Sequence, residues 1–210
     1  MILELDKLPN LGIFGTEGSG NQIKCWVTKG ESRYLIKINS KHREASKEVS
    51  VSKFLDVVNI PHAQYNEITV IYKGAKRNAC ITKSFIQSGE CSAPIYNYLS
   101  IDKYGHKLSS QEVFNQVVLD LSVNTGINAN ILSTWIKTCM TIDYIVINPD
   151  RHFTNMEIIS SSNGSARVAP LYDFGQSFLN RDSMMPKTQF KGMEQKFKTK
   201  PFSSNQNKNV

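Results

Sequence analysis

Residues 143–175, DYIVINPDRHFTNMEIISSSNGSARVAPLYDFG, constrain the chain more than any other stretch. Asp150 is followed five positions later by Asn155, and Asp173 comes eighteen residues after that, inside Asp-Phe-Gly. Between them the runs 156–161 and 165–171 flank Ser162-Asn163-Gly164. An Asn-Gly pair between two strand-like runs signals a hairpin, because the favoured tight turns need positive φ at their central residues. Such a hairpin returns the second carboxylate toward the first and toward the amide. Two oxygen-bearing side chains able to hold magnesium, plus a carboxylate free to take a proton, are what phosphoryl transfer uses.

Upstream, the chain carries a partner for that chemistry. The segment LGIFGTEGSGNQIK has Gly12, Gly15, Gly18 and Gly20 within nine residues, a composition that lets backbone N–H groups approach phosphates. It also suits a flexible hairpin loop, and no Gly-Lys-Ser/Thr follows it as the Walker pattern requires. The strand expected at 33–38 places Lys37 among Leu35, Ile36 and Ile38. A lysine there is either an edge-strand solubiliser or a deliberately placed cation. A helix is expected over 44–58, with Ala45, Val49, Ser52 and Leu55 or Asp56 on one face, ending before Pro61. Glu48, beside Val49, is the acid on that helix suited to face Lys37, and Glu44 is its rival.

Further strands are expected over 63–72 and 78–86, joined by Lys73-Gly-Ala-Lys76. The backbone of Ser84, Phe85 and Ile86 is the candidate for facing a nucleotide base. The small, polar stretch 87–93 then marks a boundary, after which the pattern turns helical. A short helix is expected around Tyr96, Leu99 and Tyr104. Ser109 to Glu112 reads as an N-cap region for a helix that ends at Asn124-Thr-Gly126. Asn128 or Asn130 caps the next helix, which Asn148-Pro149 breaks just before Asp150.

Composition excludes several classes. A hydrophobic content of 40% with 20% charged residues describes a folded protein, and no apolar run reaches the roughly 20 residues of a membrane span. The N-terminus lacks the layout of a secretory signal. Cys25, Cys80, Cys91 and Cys139 have neither metal-ligand nor close pairwise spacing, so reduced, structurally buried thiols in a cytoplasmic protein are expected. Of the net charge of +7, residues 181–210 supply +5, through seven basic against two acidic side chains. The surplus is thus a basic tail, and no nucleic-acid-reading motif accompanies it.

The order of these features resembles that of the HipA-like serine/threonine kinases, including the related cell-translocating kinase type. The glycine-rich hairpin, Lys37 on a strand, Glu48 on a helix, Asn148-Pro-Asp-Arg-His-Phe-Thr-Asn155 and Tyr172-Asp-Phe-Gly175 carry the resemblance, which covers residues 10–180. It implies an α+β, two-lobed protein-kinase-like fold. Residues 1–90 would be an N-lobe with a small antiparallel sheet and one helix. Residues 91–180 would be a mostly helical C-lobe, and 181–210 a basic tail or the start of further C-lobe helices, so a truncated or minimal large lobe is expected. By the same resemblance Asp150 would orient the acceptor hydroxyl and take its proton, while Asn155 and Asp173 would hold magnesium on ATP. Lys37 would bind the α- and β-phosphates with Glu48 steadying it, and His152 would brace the loop. Thr16, Gly18, Ser19, Gly20 and Asn21 would cover the phosphates. Gly20, Gln22 and Lys24 fit the family's Ser-x-x-Gly-x-Gln-x-Lys loop, but Glu17 stands where its regulatory serine does. The partners implied are a protein substrate with a Ser/Thr hydroxyl and a DNA-binding partner of antitoxin type. Lipid and small-molecule kinases use the same loop, and a nucleotide-binding regulatory module with little turnover is the alternative from another class.

Overall fold

A computed structural model of the chain describes residues 2–7, 12–14, 22–40, 42–100 and 109–178, with 12–14 as backbone alone. The expectations for Thr16, Glu17, Gly18, Ser19, Gly20, Asn21 and Tyr104, and for the basic tail, lie outside the described residues. The described residues divide into two compact units, one running to Phe85 and taking in the segment from Tyr172, the other lying within Ile86–Leu171.

The first unit is a six-stranded sheet with one α-helix. Its elements are β1 (Ile2–Glu4), a 3-10 turn (Leu5–Lys7), β2 (Gly12–Phe14), β3 (Lys24–Lys29), β4 (Ser32–Ile38), α1 (Glu44–Val57), β5 (Tyr65–Tyr72) and β6 (Ala75–Lys83). The strand order is β1-β5-β6-β4-β3-β2. Every pair is antiparallel except β1 with β5, which is parallel, so the sheet is mixed rather than purely antiparallel. Tyr72 pairs with Ala75, so the β5–β6 turn is only Lys73-Gly74, at φ of 51° and 69°. Two positive-φ residues suit the twist of the flanking strands, which makes Ala75 and Lys76 strand residues rather than the loop expected for them. The Asp6 carboxylate accepts the Lys73 and Gly74 N–H groups at 2.8 and 3.0 Å and so ties the N-terminal segment to this turn.

β4 lies between β3 and β6, which removes the edge-strand reading of Lys37. Side chains alternate across a strand. Ile36 and Ile38 therefore enter the core on one face, with Cys25, Ile68, Val70 and Leu5. Lys37 points to the other face, beside its register partner Cys80, where Ala45 and Val49 of α1 pack with Tyr65 and Ala63. The buried positions of α1 include Glu44, Ala45, Glu48, Val49, Ser52 and Leu55, the three-and-four spacing of one helical face. The helix stops at Val57, and Asn59 turns the chain at φ 54° ahead of Ile60-Pro61.

The second unit contains β7 (Glu90–Pro94), a 3-10 turn (Ile95–Tyr98), α2 (Ser110–Thr125), α3 (Ala129–Ile145), β8 (Glu157–Ser161) and β9 (Ala166–Val168). β8 pairs antiparallel with both β7 and β9. The polar stretch read as a boundary thus holds a strand, and the helix expected near Tyr96 is a four-residue 3-10 turn. Cys91, on β7, is exposed, unlike Cys25, Cys80 and Cys139, which are buried. The Asn-Gly hairpin forms between β8 and β9, with Gly164 at φ 84° and Asn163 Oδ1 accepting the Ser165 N–H. Ser109 and Glu112 make a capping box, Gly126 ends α2 at φ 71°, and Asn128 caps α3. Val117 and Leu121 of α2 and Leu132, Ile136 and Met140 of α3 are buried, and Trp135 Nε1 donates to the Ala169 carbonyl at 3.0 Å. Among the described residues no helix is long and apolar enough to cross a membrane.

Candidate active site

In the first unit one ammonium is shared by two carboxylates. Lys37, 2% exposed, donates from Nζ to Glu48 Oε1 and to Asp173 Oδ1, the latter at 2.8 Å. The other oxygen of Glu48 accepts the backbone N–H of Phe174 at 2.9 Å. A single carboxylate on α1 therefore holds both the lysine of β4 and the main chain of Asp-Phe-Gly. Glu44, the rival acid, is buried but is used locally, accepting from the Ser40 hydroxyl and N–H. Lys24, opposite Lys37 on β3 and half-buried, stands 3.9 Å from Asp173 Oδ1. The ring of Tyr65 backs the cluster, with Lys37 Nζ 5.1 Å from its centroid.

Burial alone would push the Lys37 ammonium toward neutrality, but the attraction of Asp173 and then of Glu48 holds it well above the ordinary lysine value. Burial also lifts the Glu48 carboxyl, opposed by Lys37. Both Glu48 oxygens accept hydrogen bonds, which is the arrangement of an ionised carboxylate. The backbone around Asp173 is specialised. Asp173 adopts φ 63°, Phe174 is buried, and Tyr172 packs against Phe85 with ring centroids 5.5 Å apart. A Cβ at Gly175 would come within 3.2 Å of the Glu44 Cβ, so the close approach of this segment to α1 favours glycine. The Ser84 N–H is spent on the Arg33 carbonyl at 2.8 Å.

In the second unit the loop after α3 is built on a buried ion pair. Arg151, 1% exposed, donates to Asp143 of α3 from Nε at 2.9 Å and from Nη2 at 3.2 Å. Its Nη1 donates to the Asn155 carbonyl at 3.0 Å, so the guanidinium spans the loop from its base to its far end. Asn148, fully buried, donates to Asp143 Oδ1 at 2.7 Å and accepts the Asp150 N–H at 3.4 Å. Asn155 Nδ2 donates to the Asp150 carbonyl at 3.2 Å, which turns its Oδ1 away from that bond and leaves an oxygen of the kind magnesium takes. No hydrogen bond or ion pair to the Asp150 carboxylate occurs among the described residues, and the residue is exposed. His152 Nδ1 lies 2.5 Å from Thr154 Oγ1, a contact within the loop.

Sequence reasoning missed Asp143 and the bracing role of Arg151. The signal was present in the spacing, since Asp143 stands near the end of a helix and eight residues before Arg151, but an arginine beside a candidate base reads first as a surface residue.

No protein-family model and no curated protein sequence matches the chain. Solved structures do. The proinflammatory kinase CtkA of Helicobacter pylori superposes with a TM-score of 0.61 at 17% identity, over 81% of this chain and 58% of CtkA. HipA of the Shewanella oneidensis MR-1 toxin–antitoxin system, solved with HipB and operator DNA, gives a TM-score of 0.48 at 12% identity, over 76% of this chain and 43% of HipA. WaaP, solved with acyl carrier protein, gives 0.46 at 11% identity, over 84% of this chain and 64% of WaaP. The chain thus spans somewhat over half the length of CtkA, with which it shares its fold. A mixed-sheet unit with one helix and a second unit carrying α2, α3 and the loop after them make this a two-lobed, protein-kinase-like fold.

Proposed function

We propose that the chain is an ATP- and magnesium-dependent phosphotransferase, acting in the cytoplasm on serine or threonine hydroxyls of protein. The observation that carries this reading is the buried Lys37 ammonium shared by Glu48 and Asp173, with Glu48 also taking the Phe174 N–H. Burying a lysine is costly unless it is paired, and here it is paired twice, which fits a cation held in place for phosphate rather than one that solubilises a strand. The donor set suits the cofactor. Lys37 would hold the α- and β-phosphates, and Asp173 and Asn155 would be the magnesium ligands. The loop containing Thr16, Gly18, Ser19, Gly20 and Asn21 would cover the phosphates, and the backbone of Ser84, Phe85 and Ile86 would meet the base. When bound, magnesium–ATP supplies the phosphoryl group and the charge neutralisation its transfer needs.

The chain's own contribution is positioning and one proton. Asp150, exposed and without a partner for its carboxylate among the described residues, would orient the acceptor hydroxyl and take its proton as the new bond forms. Arg151, Asp143 and Asn148 hold the backbone on either side of it, and His152 would brace the same loop through Thr154. The protein acceptor, and a DNA-binding partner of antitoxin type, follow from the motif resemblance. The test is to incubate the chain with magnesium, γ-labelled ATP, a mixed protein substrate and, separately, lipid vesicles and small alcohols. Label on protein serine or threonine that Lys37→Ala abolishes is expected. Label confined to lipid or a small alcohol would replace the acceptor class, and ATP binding without transfer would make the chain a nucleotide-binding regulatory module.

A further inference from the structure

We infer that His62 is a positioning residue for the Lys37–Glu48 pair, acting through the Ser52 hydroxyl of α1. His62 lies in the connection between α1 and β5, with a side chain 4% exposed. Its Nδ1 is 2.7 Å from the Ile60 carbonyl, which can only accept, so Nδ1 carries a proton. Its Nε2 is 3.0 Å from Ser52 Oγ, and Ser52 Oγ also accepts the Tyr65 N–H at 3.0 Å. With a neutral ring, Nε2 takes the single hydroxyl proton of Ser52 while a lone pair of Ser52 takes the Tyr65 amide. One hydroxyl thereby fastens the buried face of α1 to the first residue of β5.

Both ends of that link reach Lys37. Ser52 follows Glu48 by one helical turn on the same buried face, so what fixes the depth and rotation of Ser52 fixes those of Glu48. Tyr65, whose amide Ser52 holds, is the residue whose ring backs the Lys37 ammonium. The geometry therefore sets the carboxylate and the ring around Lys37 by one shared anchor, and His62 holds that anchor. Asp56 Oδ1, exposed on α1, stands 3.6 Å from Nε2.

For its effect on turnover the inference rests on the phosphotransferase reading, but its geometric content is testable without nucleotide. The full chain is treated with N-hydroxysuccinimidyl acetate under native conditions, and acetylation of Lys37 and Lys24 is followed by mass spectrometry. His62→Asn keeps a donor near Ile60 and loses the reach to Ser52, whereas His62→Gln keeps the reach to Ser52. Val70→Ala, in the core on the opposite face of the sheet, is the control for a general loss of stability. The expected result is a rise of about tenfold in Lys37 acetylation for His62→Asn, the equivalent of one lost buried hydrogen bond, with protection retained in His62→Gln. Val70→Ala is expected to leave Lys37 protected, and Lys24 acetylation is expected to be similar in all four proteins. The kcat for ATP-dependent transfer should fall in His62→Asn with the acceptor KM unchanged. Lys37 equally protected in His62→Asn and in the native chain, or equally opened by Val70→Ala, would overturn the inference. Lys37 opened in His62→Asn as expected, while the native chain transfers no phosphate, would leave the positioning intact and sink the phosphotransferase reading instead.

Discussion

Replacing Asp143 by alanine tests how the loop that carries Asp150 is held. In the native chain Asp143 accepts two bonds from the buried Arg151 guanidinium and one from Asn148 Nδ2. Asp143→Ala takes from the buried guanidinium the carboxylate that two of its bonds reach, a loss of about 3–5 kcal/mol, and costs Asn148 an acceptor, about 1 kcal/mol more. With a urea m-value of roughly 2 kcal/mol/M, a total loss of about 5 kcal/mol moves the midpoint down by about 2.5 M. Trp135, donating to Ala169 within the second unit, is the reporter, followed by fluorescence in a Trp26→Phe background so that the first unit is silent. Asp143→Leu combined with Arg151→Met removes both charges and is expected to regain most of the stability without regaining phosphotransfer. A midpoint within about 0.5 M of the native one for Asp143→Ala, at unchanged m, would contradict this, because the buried guanidinium would then not depend on Asp143.

Two further outcomes concern ionisable groups. Lys37 has its folded-state value raised well above 10.5, so the stability it contributes is complete below that value and is lost as the pH rises through the folded one. Cys25 and Cys80, pushed by burial from 9.0 to about 11 and about 12, act in the same sense, and thermal unfolding should show stability declining above pH 9. A profile flat through pH 11 would contradict this. Cys91 is exposed and the other three thiols are buried, so iodoacetamide at neutral pH should modify Cys91 alone until the chain is unfolded. Modification of Cys139 at the rate of Cys91 would show that α3 is not packed as described.

The local grammar of the chain was legible in its residues. The capping box at Ser109 and Glu112, the glycine stop at Gly126 and the Asn163-Gly164 turn are rules of a few residues each, and each forms where the pattern places it. Glu44 and Glu48 share one buried face of α1, so the helix pattern left them as rivals; only the fold shows Glu48 meeting Lys37 while Glu44 accepts from Ser40. The central position of β4 was not readable, since strand order is set by pairings between β4 and β6 that are far apart in the chain. β7 was missed because Glu-Cys-Ser-Ala-Pro lacks alternation; its strand form depends on β8, which arrives more than sixty residues later. Asp143 and Arg151 escaped for a related reason. Each is a charged residue that looks solvated alone, and only their pairing makes burial affordable.

The most direct test of the central claim is phosphoryl transfer from γ-labelled ATP in magnesium by the native chain, Asp150→Asn and Asp173→Ala, with folding of each checked by circular dichroism. Transfer to protein by the native chain, reduced about a hundredfold or more in both variants, is predicted. Transfer that persists at the native rate in folded Asp150→Asn or folded Asp173→Ala would contradict the account.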